Sequence, residues 1–177
     1  MQASGGFGTY YAGVIYAAQT ALVAAAKANP GSQNVLIILS DGDASASNST
    51  TKGGTQELPN ASVTSGTYVS TINQCHQAIT AAATAAAAGT RVYTVAYGAA
   101  SSGCSTDKTS ITPCATMQQM ASAPQYFFSD YTVSSGSSAC ISASQPTSGL
   151  SQIFTQIANT MTISRLIPDV SSSGTTQ

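Results

Sequence analysis

An α/β fold built on a mostly parallel sheet is predicted for this chain of 177 residues, and three features of the sequence predict it. Residues 35–39 (VLIIL) and 91–97 (RVYTVAY) are apolar, β-branched-rich runs of the kind found in strands covered on both faces. A long helical segment, residues 71–88, separates them, and a strand-helix-strand order demands a right-handed crossover and parallel pairing. The first run ends in two carboxylates, Asp41 and Asp43, around one glycine, at the strand end where open parallel sheets bind ligands.

The elements follow in order. Residues 10–28 form an alanine-rich helix entered from a glycine-rich turn and stopped by Asn29-Pro30-Gly31. Its tyrosines, Tyr10, Tyr11 and Tyr16, read first as packing groups. Residues 44–70, rich in Ser, Thr, Gly and Asn, read as one long polar loop, a length usually reserved for function or mobility. The second helix closes at Gly89, the favoured position for a left-handed cap. A cysteine-bearing loop over 99–116 leads to a short helix at TMQQMAS and a strand at YFFSD, residues 126–130. A second such loop covers 131–147, and a last helix over 148–161 gathers Leu150, Ile153, Phe154, Ile157 and Met161 on one face. Residues 168–177 read as a flexible tail.

Composition narrows the function. Only 6% of residues are charged and the net charge is −1, so no basic patch exists to hold nucleic acid or an anionic membrane. Residues 10–28 carry Gln19 and Thr20 and lack flanking anchors, which favours a buried helix over a membrane span. Cys75, Cys104, Cys114 and Cys140 have no C-x-x-C spacing and the chain has one histidine, so two disulfides are expected rather than zinc. Bridges imply an oxidising, extracytoplasmic compartment. Four cysteines allow three pairings, between which sequence does not choose; Cys104 with Cys114, closing a short loop, and Cys75 with Cys140 is the expectation. The opening MQASGGFG has no signal-peptide pattern, from which a missing amino-terminal segment is expected.

Catalysis and nucleotide binding have little support. A Ser40, His76, Asp41 triad lacks a G-x-S-x-G elbow, and His76 reads as a surface or capping residue. The glycines form neither G-x-G-x-x-G nor a Walker motif after a strand. Asn48-Ser-Thr and Asn60-Ala-Ser are formal glycosylation acceptors of the kind a Ser/Thr-rich loop contains by chance. From the residues alone, Asp41 and Asp43 either cap an Asp-Gly turn or hold a ligand.

GGFGTYYAGVIYAAQTAL, NVLIILSDGDA and GTRVYTVAYG, in this order, resemble the von Willebrand factor A domain; MQQMAS, YFFSD and LSQIFTQIA are similar to its closing helix, strand and helix. The cysteine-bearing second half most resembles the TadG-like proteins of bacterial tight-adherence (Flp) pilus assembly. The resemblance covers most of residues 5–167 and implies a three-layer, Rossmann-like sheet, incomplete because residues for the first strands are absent, in a partial domain over 1–167. It implies a module for adhesion and assembly, not an enzyme, in the cell envelope, with pilus or envelope proteins as partners and an inner-membrane anchor in the full-length protein. Carried over by motif, Thr9 and Asp41 are metal ligands of a metal-ion-dependent adhesion site, with Ser40 and Asp43 as flanking groups. Mg2+ or Mn2+ is the implied ion of an intact domain; since the D-x-S-x-S motif is absent, this chain alone is expected to bind metal weakly or not at all. A sheet without its neighbouring strands also exposes an apolar edge, which invites self-association.

Overall fold

The computed structural model describes residues 8–46, 65–134 and 136–162. They form a mixed α/β fold in the order α1 (Tyr11–Ala28), β1 (Val35–Ser40), α2 (Gln74–Ala87), β2 (Arg91–Tyr97), α3 (Pro113–Met120), a single 3-10 turn (Pro124–Tyr126), β3 (Phe127–Asp130) and α4 (Leu150–Thr162). The sheet has three strands in the order β1-β2-β3, all parallel, with Val35 level with Arg91 and Thr94 level with Phe127. The sequons at Asn48 and Asn60, most of the polar loop and the tail lie outside the described residues.

Strand alternation sorts the core into two faces. Val92 and Ala96 of β2, with Leu36 and Ile38 of β1, meet α1, α2 and α3; Tyr93 and Val95, with Phe128 and Val35, meet Ile153 and Ile157 of α4. Helices therefore cover both faces, and β2, the central strand, is buried from Val92 to Ala96. The apolar runs in the sequence reflect this double cover. Thr94, buried within β2, places its hydroxyl on the Met117 carbonyl at 2.7 Å, which satisfies it without disturbing the ladder. On α2 the buried residues Ala78, Ala81, Ala82 and Ala85 recur at helical spacing. Small side chains there let α1 and the sheet approach closely. On α4, Phe154 departs from the expected apolar face: it is 40% exposed, at the margin of the stripe that Ile153 and Ile157 bury.

The disulfides are Cys75–Cys104 and Cys114–Cys140, with Cα atoms 5.9 and 5.5 Å apart. This corrects the expected pairing of Cys104 with Cys114 and Cys75 with Cys140. The expectation favoured a short loop, but closing ten residues instead of about thirty gains only about 1 kcal/mol of loop entropy, and the fold overrides so small a bias. Cys75 sits in the first turn of α2 and meets the loop after β2, whereas Cys114, in the first turn of α3, meets the loop after β3. No helix among the described residues is long and apolar enough to cross a membrane. Two disulfides fit an oxidising, extracytoplasmic setting.

Candidate functional site at the carboxyl end of the sheet

β1 stops at Ser40 because the next residues leave the ladder for a turn that glycine alone allows. Gly42 has φ +83°, and a Cβ there would lie 2.3 Å from the Pro113 carbonyl oxygen at the start of α3. The Gly42 carbonyl oxygen in turn rests against both sulfurs of the first disulfide, 3.9 Å from Cys75 Sγ and 3.8 Å from Cys104 Sγ. The turn is thus clamped between α3 and the Cys75–Cys104 bridge.

That clamp divides the two carboxylates. Asp43 is half-buried and its Oδ1 accepts the Cys104 backbone N–H at 2.6 Å, across the loop that follows β2. Asp41 is exposed; its Oδ1 accepts from Ser40 Oγ and from the Asp43 backbone N–H, both at 3.3 Å, the pattern of an Asp turn. One carboxylate therefore anchors the loop, and the other is presented to solvent at the rim of the sheet.

α1 delivers the remaining groups. The Tyr11 hydroxyl hydrogen-bonds Ser40 Oγ, and the Thr9 carbonyl accepts the Ser45 backbone N–H at 3.2 Å, so the entry to α1 and the exit from β1 are stitched together. Burial pushes the Tyr11 phenol up to about 12, Ser40 opposes this by hydrogen bonding, and Asp41 and Asp43 add to it through their charge. Thr9 and Ser40 line the same groove, of about 430 Å³, between α1 and β1. Thr9, Ser40 and Asp41, the group singled out by resemblance, thus lie on connected segments, whereas Asp43 turns toward the loop of Cys104.

As a metal centre the donor set is poor. Asp41 and Thr9 offer one carboxylate and one hydroxyl, where Mg2+ takes about six oxygens. Asp43 does approach Cys75 and Cys104, with ligand-type atoms within 4.8 Å of one another, but the sulfurs are bonded to each other and are not thiolates.

His76 does not join Ser40 and Asp41. Its Nδ1 lies 2.5 Å from Oδ1 of Asp107, whose side chain is fully buried. Asp107 also accepts the backbone N–H groups of Cys75 and His76, each at 3.0 Å, and the Thr106 hydroxyl at 3.2 Å. It therefore caps α2 from outside the helix, in place of Asn73, which sits at φ 61° and makes no side-chain cap. From the sequence His76 reads as a surface or capping residue, and nothing there signals Asp107, which is the group that caps α2 while the half-exposed His76 ring rests on it. Two buried glutamines were missed as well: Gln74 exchanges hydrogen bonds with both backbone groups of Ala46, at 2.9 and 2.8 Å, and Gln77 accepts the Tyr10 hydroxyl at 2.6 Å. Amides at these helix positions carry no signal separating them from solvent-facing ones until the partner segment is placed.

No family model, no curated protein and no solved structure matches this chain.

Proposed function

We propose that the domain is a non-catalytic binding module of the bacterial cell envelope, of the von Willebrand factor A and TadG-like kind, which engages a pilus or envelope protein at the rim formed by Thr9 and the 40–43 turn. The observation that supports this most is Asp41: an exposed carboxylate held by a clamped turn at the carboxyl end of a parallel sheet, in a chain with only six acidic residues. A rigid turn presents that charge with little entropy left to lose on binding. The partner class and the inner-membrane anchorage of the full-length protein rest on the resemblance. The non-catalytic reading is supported by His76, the only histidine, being paired with the residue that caps α2.

Thr9 and Asp41 do not make a self-sufficient cation site, so Mg2+ or Mn2+ enters this proposal only for an intact domain that supplies further donors. The test is capture of a solubilised pilus and envelope protein fraction on the immobilised, disulfide-intact domain, with Asp41→Ala, Thr9→Ala and a chelator as the variables. Loss of a defined partner with Asp41→Ala is the expected result, and further loss with chelator or Thr9→Ala assigns the contact to a shared ion. Capture indifferent to all three contradicts the proposal and leaves a structural envelope module stabilised by its disulfides.

A further inference from the structure

The two disulfides are protected differently. Cys75 and Cys104 are 0% and 4% exposed. Both sulfurs rest against the Gly42 carbonyl oxygen, Cys104 Sγ also meets the Thr116 hydroxyl at 3.4 Å, and an Asp43 carboxylate oxygen lies within 4.8 Å of each. A thiolate approaching this bridge meets enclosure and a fixed negative charge. Cys114–Cys140 joins α3 to the segment that follows β3, at the edge of the sheet away from β1. Cys114 is only partly buried, in the first turn of α3, and with Cys140 it lines a surface cleft of about 280 Å³. No charged side chain lines that cleft; Ser101, Thr112, Gln118 and Ala139 are among its walls.

We propose that Cys114–Cys140 is a site of thiol–disulfide exchange, attacked at Cys114 Sγ by an external dithiol, while Cys75–Cys104 stays closed. Attack falls on Cys114 because Cys140 is only 1% exposed. The incoming thiolate bonds to Cys114 Sγ, the bond between the two protein sulfurs breaks, and its electron pair leaves on Cys140 Sγ, which takes a proton from water. The second thiolate of the dithiol then displaces Cys114 Sγ from the mixed disulfide. The bridge is thereby reduced to two thiols, and the dithiol is oxidised to its own disulfide. α3 assists the second step. Cys114 departs as a thiolate at the amino end of that helix, where the dipole stabilises negative charge, and a more acidic thiol is the faster leaving group. Opening the bridge frees the first turn of α3, while Ser129 and Ser142 still hold the Cys140 segment on β3 through the Cys140 and Phe127 carbonyls. The remaining bridge keeps the acidic turn clamped, so the domain stays folded with one latch open. The inference does not depend on the partner-binding role of Asp41.

The test is to hold the full, oxidised chain under native conditions with graded dithiothreitol, quench with a maleimide, then reduce fully and add a second, heavier maleimide. Trypsin places Cys75 in residues 53–91, Cys104 in 92–108, and Cys114 and Cys140 together in 109–165, so each bridge reports separately. The first label is expected on 109–165 about tenfold or more faster than on the other two peptides. With glutathione, a monothiol, the adduct is expected on Cys114 and the first maleimide on Cys140. Ala139→Glu, at an exposed position lining the cleft, is expected to slow labelling of 109–165 several-fold by repelling the thiolate, and to leave Cys75 and Cys104 unchanged. Labelling of all four cysteines together, or of Cys75 and Cys104 first, overturns the proposal, because exchange then runs through unfolding or through the other bridge. Resistance of all four at every concentration that leaves the chain folded overturns it as well. A glutathione adduct on Cys140, or an Ala139→Glu rate equal to that of the wild type, contradicts attack at Cys114 through the cleft.

Discussion

Reduction of both disulfides is expected to remove about 7 kcal/mol of stability and to unfold the domain at room temperature. The bridges close segments with sequence separations of 29 and 26, and these segments do not overlap, so the unfolded chain regains two independent loops when they open. Each is worth about 3.5 kcal/mol by loop-closure entropy, and the sum approaches the whole stability of a typical domain, about 5–15 kcal/mol. The two are not equal in consequence. Cys75–Cys104 also supports the turn at Gly42 and fixes the backbone N–H that Asp43 holds, so the Cys75→Ala/Cys104→Ala variant is expected to lose the clamp on the acidic turn along with its share of stability. Urea unfolding with and without a dithiol reductant measures the effect. A reduced chain that unfolds cooperatively at the oxidised midpoint is incompatible with it.

Asp107→Ala is expected to cost about 2–4 kcal/mol, combining the loss of a helix cap with the loss of hydrogen bonds to a buried carboxylate. The substitution leaves the Cys75 and His76 N–H groups without their acceptor at the start of α2, the helix whose alanines pack against α1 and the sheet. Asp107→Asn retains an acceptor oxygen and is expected to fall between the wild type and Asp107→Ala. His76→Ala is expected to cost less than either, since the His76 side chain is 40% exposed while Asp107 is fully enclosed. Chemical denaturation of the three variants orders them. A loss for Asp107→Ala below about 0.5 kcal/mol, the scale of an ordinary surface substitution, contradicts the capping role.

The elements were legible where local pattern and tertiary position agree. β2 coincides with the apolar run over 91–97 because a central parallel strand is buried on both sides, and α1 begins one residue after the expected start. Two boundaries were misread for identifiable reasons. α3 begins at Pro113, ahead of TMQQMAS, because Thr112 caps it by accepting the Ala115 N–H at 3.1 Å and Pro113 fits the first turn, a signal present in the sequence. α2 begins at Gln74 and not at residue 71, since Asn73 takes a left-handed conformation and its N–H goes to Thr106.

The site was legible as a location and not as a division of labour. An acidic turn after an apolar strand marks the carboxyl end of the sheet, and Asp41 lies there. What separates Asp41 from Asp43 is a backbone N–H on Cys104, supplied by a loop 61 residues away, and no local pattern announces it. Asp107 was hidden for the same reason, as its helix lies 31 and 32 residues upstream. The disulfide pairing depends equally on which loops the sheet brings over Gly42 and over β3.

Asp43 anchors the turn through the Cys104 N–H, and Asp41 presents its carboxylate to solvent. Thermal unfolding of Asp41→Ala and Asp43→Ala, side by side in the oxidised chain, tests this division most directly. Asp43→Ala is expected to lower Tm by several degrees, as the loss of a charge-assisted hydrogen bond worth about 1.5–3 kcal/mol requires, while Asp41→Ala, with only long contacts at an exposed position, leaves Tm close to the wild type. Equal losses, or a larger loss for Asp41→Ala, would make Asp41 the structural residue and remove the exposed carboxylate on which the proposed function rests.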